Sequence, residues 1–401
     1  MIAVVIFAAT YLVMALGRVP GWRLDRAGAA LLGASLMVAF GVLNLNEAFD
    51  AIDMGTITLL LGVMIVVANL RLSGFFRVVT AFVVARARHP LVLLLAVVGV
   101  TGFLSAFLVN DTVCLVMTPL VLDLVTRLKR QPVPYLLAVA MASNAGSVAT
   151  ITGNPQNIII GAISRLTYLQ FISALAPVAI VALVLTVLLI VAVHRDEFLT
   201  RDRLEALQPR AVRYHRGLVI KTLVITLAMI VLFFAGLPVA RVAILAGALL
   251  LVTRRVKPEK VYFDIDWPLL VMFAGLFIVV AALEKTVIGP DAVAAIGRLN
   301  LGATPALSVV TAVLSNLVSN VPAVLVLKPF VTGLSAPDHA WLVVAMASTL
   351  AGNFALVGSV ANLIVVERAR REGVPISFWS YFRVGAPLTV LTIAFGAWWL
   401  S

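Results

Sequence analysis

"FLSAFLVNDTVCLVMTPLVL", residues 103–122, places an Asn–Asp–Thr triplet inside an otherwise oily run. A carboxylate near the centre of a bilayer costs on the order of 3 kcal/mol on insertion scales. Asp111 therefore needs either a structural partner or a task. The surrounding segment, 90–126, leaves one basic loop, "ARARHP", and returns to another, "RLKR". Short loops rich in Lys and Arg stay on the cytoplasmic side, so a segment with both ends there does not cross once. The polar triplet falls where a turn is needed. The reading is a re-entrant helical hairpin over 90–126 with its tip at 109–112.

The rest of the chain sets that hairpin in a membrane. The protein has 401 residues, 62% of them hydrophobic and 12% charged, against about 25% charged in soluble domains. Apolar runs of spanning length recur from end to end, as at 217–234 and 268–283. Residues 2–16 read as a first span, with no small-residue cleavage pattern behind them. One cysteine, Cys114, excludes an intrachain disulfide and a multi-cysteine metal site. No His/Glu cluster has metal-ligand spacing and no phosphate loop is present. The expectation is a transporter and not an enzyme, with no cofactor, no metal and no ATPase of its own. The net charge of +12 raises the question of nucleic acid, but the basic residues gather in short loops, where they fix orientation instead. Membrane lipid is the expected surroundings and nucleic acid is not expected as a partner.

Working outward, spans at 2–16, 27–43 and 53–70 precede an amphipathic, interfacial stretch at 71–88. After the hairpin, 134–165 crosses as a broken helix: "NAGSVATITGNPQN" (144–157) carries two Gly, one Pro and many small polar groups. Backbone groups freed by such a break must line protein or a cavity. A span at 171–193 returns to a basic cytoplasmic linker, 194–216. The second half follows the same plan upside down: spans at 217–234, 238–253 and 268–283, a hairpin at 304–336, a broken helix at 340–366 and a last span at 378–400. The fold class is thus an all-α polytopic membrane protein of two inverted repeats, 1–193 and 217–401, each with five spans, one re-entrant hairpin and one broken helix. The layout puts both termini on the outer side of a bacterial inner membrane. It leaves Arg165, Arg241, Lys285, Arg298 and Lys328 as the main basic residues off the cytoplasmic face. Arg71 and Glu284 fall at matching helix ends, and the aromatic "FWSYF" and "WWL" near 379–399 read as interfacial anchors.

The halves also match in sequence. "VAMASNAGSVATITGNPQN" aligns with "VAMASTLAGNFALVGSVAN", setting Gly153 on Gly358 and Asn157 on Asn362. "AFLVNDTVCLVMTPLVL" aligns with "SNLVSNVPAVLVLKPFV", setting Asn110 on Asn320 and Pro119 on Pro329. "DAIDMGTITLLLGVMIVVANL" aligns with "FDIDWPLLVMFAGLFIVVAAL". Repeats of opposite orientation mark secondary transporters that bind substrate at midplane between discontinuous helices.

On these motifs the chain resembles the ion transporter superfamily, which includes divalent anion–sodium symporters, sodium/proton antiporters and arsenite efflux membrane proteins. The anion symporters carry Ser–Asn–Thr at both hairpin tips. Here the tips read "VNDT" and "VSNVP", which is more similar to the arsenite efflux family, the membrane subunit of arsenical pumps. The resemblance implies two inverted five-span repeats and leaves open a soluble ATPase subunit docking on the inner loops.

Asp111 is the candidate proton-coupling residue; the bland alternative is a carboxylate capping the second hairpin helix. Candidate substrate ligands are Asn110, Thr112, Ser319 and Asn320 at the tips. Ser143, Asn144, Thr150, Thr152, Asn154 and Asn157 join them from the first broken helix, and Ser348, Thr349, Asn353, Ser359 and Asn362 from the second. Each alone reads equally as bundle glue. Cys114 reads as a small buried residue rather than an arsenic ligand. A site with a carboxylate and no expected Arg or Lys disfavours an oxyanion. The expectation is proton-exchanging export of neutral arsenite or antimonite, As(OH)₃-like solutes, by alternating access. The alternatives are a sodium-coupled dicarboxylate or sulfate symporter, and a sodium/proton antiporter.

Overall fold

The computed structural model describes residues 2–16, 24–86, 88–200, 203–204, 214–253, 255–287 and 300–401. Arg298, residues 17–23 of the basic stretch at 17–26, and residues 201–202 and 205–213 of the basic linker at 194–216 lie outside them. Every regular element among the described residues is helical. Among the described residues, six helices are long and apolar enough to cross a membrane: Met54–Ser73, Pro90–Phe107, Tyr168–Val193, Arg216–Phe234, Trp267–Thr286 and Phe378–Trp399. This is a multi-pass membrane protein. Its outer faces carry exposed Leu169, Ile180, Val184 and Leu188 on one long helix, and Val224, Leu227 and Val231 on another. Side chains like these are at home in lipid, where no water competes for them.

Helix starts recur along the chain. Arg26, Leu45 and Met54 open successive helices, and Val239, Pro258 and Trp267 open three more, each 213 positions later. The short helices Leu45–Ala51 and Pro258–Phe263 were not anticipated from hydropathy; they are too polar and too brief to register as spans. Packing between the halves is reciprocal. Helix Met54–Ser73 packs on Val239–Leu251, while its counterpart Trp267–Val287 packs on Arg26–Ala39. Glycine permits both contacts: a Cβ on Gly62 would lie 2.5 Å from the Ala243 backbone, and one on Gly275 would lie 2.6 Å from that of Ala30. Both members of each pair are again 213 positions apart.

Two helix pairs and two interrupted helices form the interior. Helices Pro90–Phe107 and Asn110–Arg127 are joined by two residues and touch each other, as do Thr304–Val318 and Asn320–Thr332 across Ser319. Pro90–Phe107 has 18 residues, enough to cross by itself, so length alone does not make this pair a hairpin. The interrupted helices are Pro132–Ser147 with Pro155–Ile163, and Pro337–Ala351 with Val360–Arg371. Their first halves are buried almost throughout, from Pro134 to Ser147 and from Ala340 to Ala351. Small residues make that possible, since "AVAMAS" brings little bulk to a crowded axis.

Ion pairs fasten helix ends. Arg71 pairs with Asp264, Lys285 with Glu47 at 2.7 Å, and Lys328 with Glu284 at 3.9 Å. Arg71 and Glu284, read from sequence as matching interfacial residues, therefore each hold a partner of opposite charge.

Candidate functional site

Each helix break frees backbone carbonyls, and one asparagine per half collects them. Asn157 Nδ2 donates to Ser147 O (3.1 Å) and Thr150 O (2.9 Å), ten and seven residues back. Asn362 Nδ2 donates to Gly352 O (2.7 Å) and Ala355 O (3.3 Å), at the same spacings. Gly153 and Gly358 allow the chain to fold tightly enough for this; a Cβ there would come within 2.2 Å of Ser147 O and 2.9 Å of Gly352 O. Asn154 Oδ1 accepts from Asn157 N (2.9 Å) and Ser359 Oγ from Ala361 N (3.2 Å), so each restarted helix has a side-chain cap.

The two breaks then grip one another. Asn144 Nδ2 donates to Asn362 Oδ1 (3.0 Å), and Thr349, 205 positions after Asn144, donates to Asn157 Oδ1 (3.5 Å). Asn144 Nδ2 also donates to Asn353 Oδ1 (2.9 Å), while its Oδ1 accepts from Asn110 Nδ2 and Ser359 Oγ, both at 3.1 Å. Thr349 Oγ1 accepts from Asn154 Nδ2 (3.2 Å) and Gln156 Nε2 (3.1 Å). The helix-pair tips dock on this knot. Asn110 N donates to Gly153 O (2.9 Å), Ser143 Oγ donates to Asn110 O (3.3 Å), and Ser315 Oγ bridges Asn320 Oδ1 (2.7 Å) and Ser348 O (3.0 Å).

Directions in this network are not free. Asn362 and Asn353 spend their NH₂ groups on backbone carbonyls, Asn353 on Met141 O at 3.3 Å. Their oxygens must therefore accept, Asn144 must donate to both, and the Asn144 oxygen must accept from Asn110. What remains is Asn110 Oδ1, buried and without a hydrogen-bond partner among the described residues.

Asn110 lines a cavity of about 360 Å³ together with Asp111, Pro155, Gln156, Ser319, Asn320 and Ser359. Asp25, Arg26 and Asp266 complete its polar wall, and Met14, Leu269 and Met272 add apolar surface. Asp111 sits in the first turn of its helix, where the dipole favours negative charge. It does not cap: Val109 is the cap residue and no side chain closes it. Asp25 and Asp266 are each engaged in capping, accepting from Gly28 N (2.8 Å) and Leu269 N (3.1 Å). Ser319 holds φ 81°, ψ 158°, a region populated almost only by glycine and stored at functional sites at about 1–3 kcal/mol.

Of the residues expected from sequence, Asn110, Asp111, Ser319, Asn320 and Ser359 line the cavity. Ser143, Asn144, Asn154, Asn157, Ser348, Thr349, Asn353 and Asn362 lie behind it as the knot just described. Thr150 bonds to Ala106 O, and Thr152 lies 2.9 Å from the Tyr168 hydroxyl. Thr112 is half-buried and is not part of the cavity wall. Cys114 is buried against Val139 O at 3.9 Å and is not part of it either. The expectation of a site without Arg or Lys is corrected by Arg26 on the cavity wall. Arg26 and Asp25 end the basic stretch "GRVPGWRLDR", residues 17–26, where a cation carries the signal of an orienting loop and not of a site. Asp266 had a usable signal, because the internal alignment sets it on Asp53, and both cap the helix that follows.

Polar breaks and two helix-pair tips, one of them strained at Ser319, converge on one cavity inside a body of lipid-facing helices, and define a membrane transporter. Residues 4–351 match the citrate transporter family, CitMHS. The chain belongs to that family. An uncharacterized transporter of Mycobacterium tuberculosis is 32% identical over 424 residues, covering 100% of this chain and 97% of its own. The silicon efflux transporter LSI3 of Oryza sativa subsp. japonica is 29% identical, covering 98% and 96%. Among solved structures, the YdaH transporter of Alcanivorax borkumensis, described as having an unusual topology, superposes with a TM-score of 0.65 at 15% identity, covering 100% and 96%. That last likeness concerns the fold alone.

Proposed function

We propose that the protein exports a small neutral polyhydroxy acid, arsenious or antimonous acid, in exchange for protons taken up and released at Asp111. The observation that carries this is the fixed amide chain ending at Asn110 Oδ1, an unpartnered acceptor next to Asp111. A hydroxyl is both donor and acceptor. As(OH)₃ supplies donors for Asn110 Oδ1 and the Asp111 carboxylate. It also offers both donors and acceptors to the Asn320 side-chain amide on the cavity wall. Silicic acid, Si(OH)₄, has the same chemistry, and a relative is named for silicon efflux. Three carboxylates face one guanidinium across the cavity, which opposes a polyanion.

The second reading is a cation-coupled citrate symporter. The family description and Arg26 favour it, since a guanidinium is suited to carboxylates. In that case sodium has to offset Asp111 before citrate enters. Everted membrane vesicles energised by respiration separate the two. Arsenite should accumulate, antimonite and silicic acid should compete, and citrate, succinate and sulfate should not. Citrate uptake that arsenite leaves untouched would replace the proposal with the symporter. Under the proposal the orientation is that of the basic loops, in a bacterial inner membrane with the cavity on the cytoplasmic side and the two halves inverted. Each helix pair is a re-entrant hairpin.

A further inference from the structure

The two helix-pair tips are equivalent in sequence and differ in their hydrogen bonds. Thr101, Leu104, Ser105 and Asn110 recur as Thr311, Leu314, Ser315 and Asn320, each 210 positions on. The second tip satisfies itself: the Ser315 hydroxyl lies 2.7 Å from Asn320 Oδ1 and 3.0 Å from Ser348 O. The same contact in the first tip is open. Ser105 Oγ and Asn110 Oδ1 are both buried, and neither has a hydrogen-bond partner among the described residues. The backbone between them accounts for the difference. Val318 is the last residue of its helix, whereas Leu108, which stands opposite it, is extended at φ −123°, ψ 149°. The first tip has fastenings of its own, Asn110 N on Gly153 O (2.9 Å) and Ser143 Oγ on Asn110 O (3.3 Å), while the matching Ser348 hydroxyl turns back to Ala345 O (3.4 Å). Ser105 is therefore not what holds the first tip in place.

We propose that Ser105 competes with the cargo for Asn110: its hydroxyl bonds Asn110 Oδ1 while no cargo is bound, and gives that oxygen up when a cargo hydroxyl takes it. A buried donor and a buried acceptor held apart each carry a desolvation cost, and one bond between them removes both. The reach is sufficient, because Ser315 meets Asn320 across the same five residues. Closing the bond takes a turn of Ser105 about χ1 and one further residue of helix at Leu108. Asn110 Oδ1 is enclosed, so one donor at a time reaches it. Ser105 is not part of the cavity wall; it acts through Asn110, as a positioning residue. A carrier that spends part of its time with this bond closed binds cargo more weakly, in proportion to the fraction left open. The inference rests on Asn110 being a cargo ligand, as the proposed function has it.

The test measures the KM and kcat of arsenite flux in everted vesicles, with citrate in its place where citrate is the solute carried. Ser105→Ala should lower KM about three- to tenfold, the range that one such bond covers, with kcat no higher. Ser105→Thr keeps the hydroxyl and should return KM to the parent value. Asn110→Ala should raise KM, and adding Ser105→Ala to it should change KM no further. Ser105→Ala should melt no lower than the parent, because it removes a buried hydroxyl without a partner, whereas Ser315→Ala breaks bonds that exist and should melt lower. Where a variant is too slow for flux, the solute concentration that half-saturates its rise in melting temperature reads the same affinity. A KM that stays or rises in Ser105→Ala while Asn110→Ala raises it, or a melting loss in Ser105→Ala equal to that of Ser315→Ala, would overturn the inference and leave the proposed function standing. An unchanged KM in Asn110→Ala would remove the cargo ligand of the proposed function, and the inference with it.

Discussion

Replacing Asn144 separates the knot from the cavity it supports. Asn144 makes four side-chain hydrogen bonds, to Asn353, Asn362, Asn110 and Ser359. All four partners are buried. Each bond contributes roughly 0.5–1.5 kcal/mol net, so Asn144→Ala should cost roughly 2–6 kcal/mol, the upper end applying where the orphaned amides stay dry. Asn144→Asp is the sharper perturbation. It conserves shape but sets carboxylate oxygens against Asn353 Oδ1 and Asn362 Oδ1, which cannot turn round because their NH₂ groups hold backbone carbonyls. It should melt at least as low as Asn144→Ala. Fluorescence-detected melting in detergent, with matched transport in vesicles, reads both quantities. An Asn144→Asp protein with wild-type melting and wild-type flux would refute the reasoning about amide direction, and with it the assignment of Asn110 Oδ1 as a free acceptor.

Other outcomes follow from the same geometry. Asn157→Ala and Asn362→Ala each strand two break carbonyls and should destabilise alike, by roughly 1–3 kcal/mol; a large difference in melting between them would mean the two breaks are not equivalent. Gly62→Val and Gly275→Val place a side chain where a Cβ already meets backbone, and each should cost about 1–3 kcal/mol by overpacking, seen as lower melting and lower yield. Ser319→Gly relieves a conformation that glycine adopts freely, so it should raise the melting temperature while weakening transport if the hydroxyl serves the cargo. Unchanged melting would remove strain at this tip from the account.

What the sequence made legible was what periodicity and punctuation encode. Gly153 and Pro155 announced the first break, and the Asn–Asp at 110–111 announced the first tip, because helix breakers and polar groups are conspicuous in an oily chain. The pairing of Asn157 with Asn362 was legible too, since the same task at the same spacing leaves the same residue. Which polar residues face the cavity was not. Asn110 and Asn144 look alike in sequence, yet one lines the cavity and the other is locked behind it, a distinction set by how four helices cross and not by local pattern. Arg26 was hidden for another reason. A cation beside a basic loop carries the same signal whether it orients the chain or turns into a site.

The central claim is that Asp111 exchanges protons for a neutral hydroxylated solute. Liposomes containing the purified protein, with pH and sodium gradients imposed separately, test it most directly. Arsenite flux should follow the pH gradient, ignore sodium and vanish in Asp111→Asn, whose melting should match the parent because the amide keeps the shape of the carboxylate and loses only its charge. Arsenite flux that requires sodium, or that persists with the pH gradient in Asp111→Asn, would contradict it.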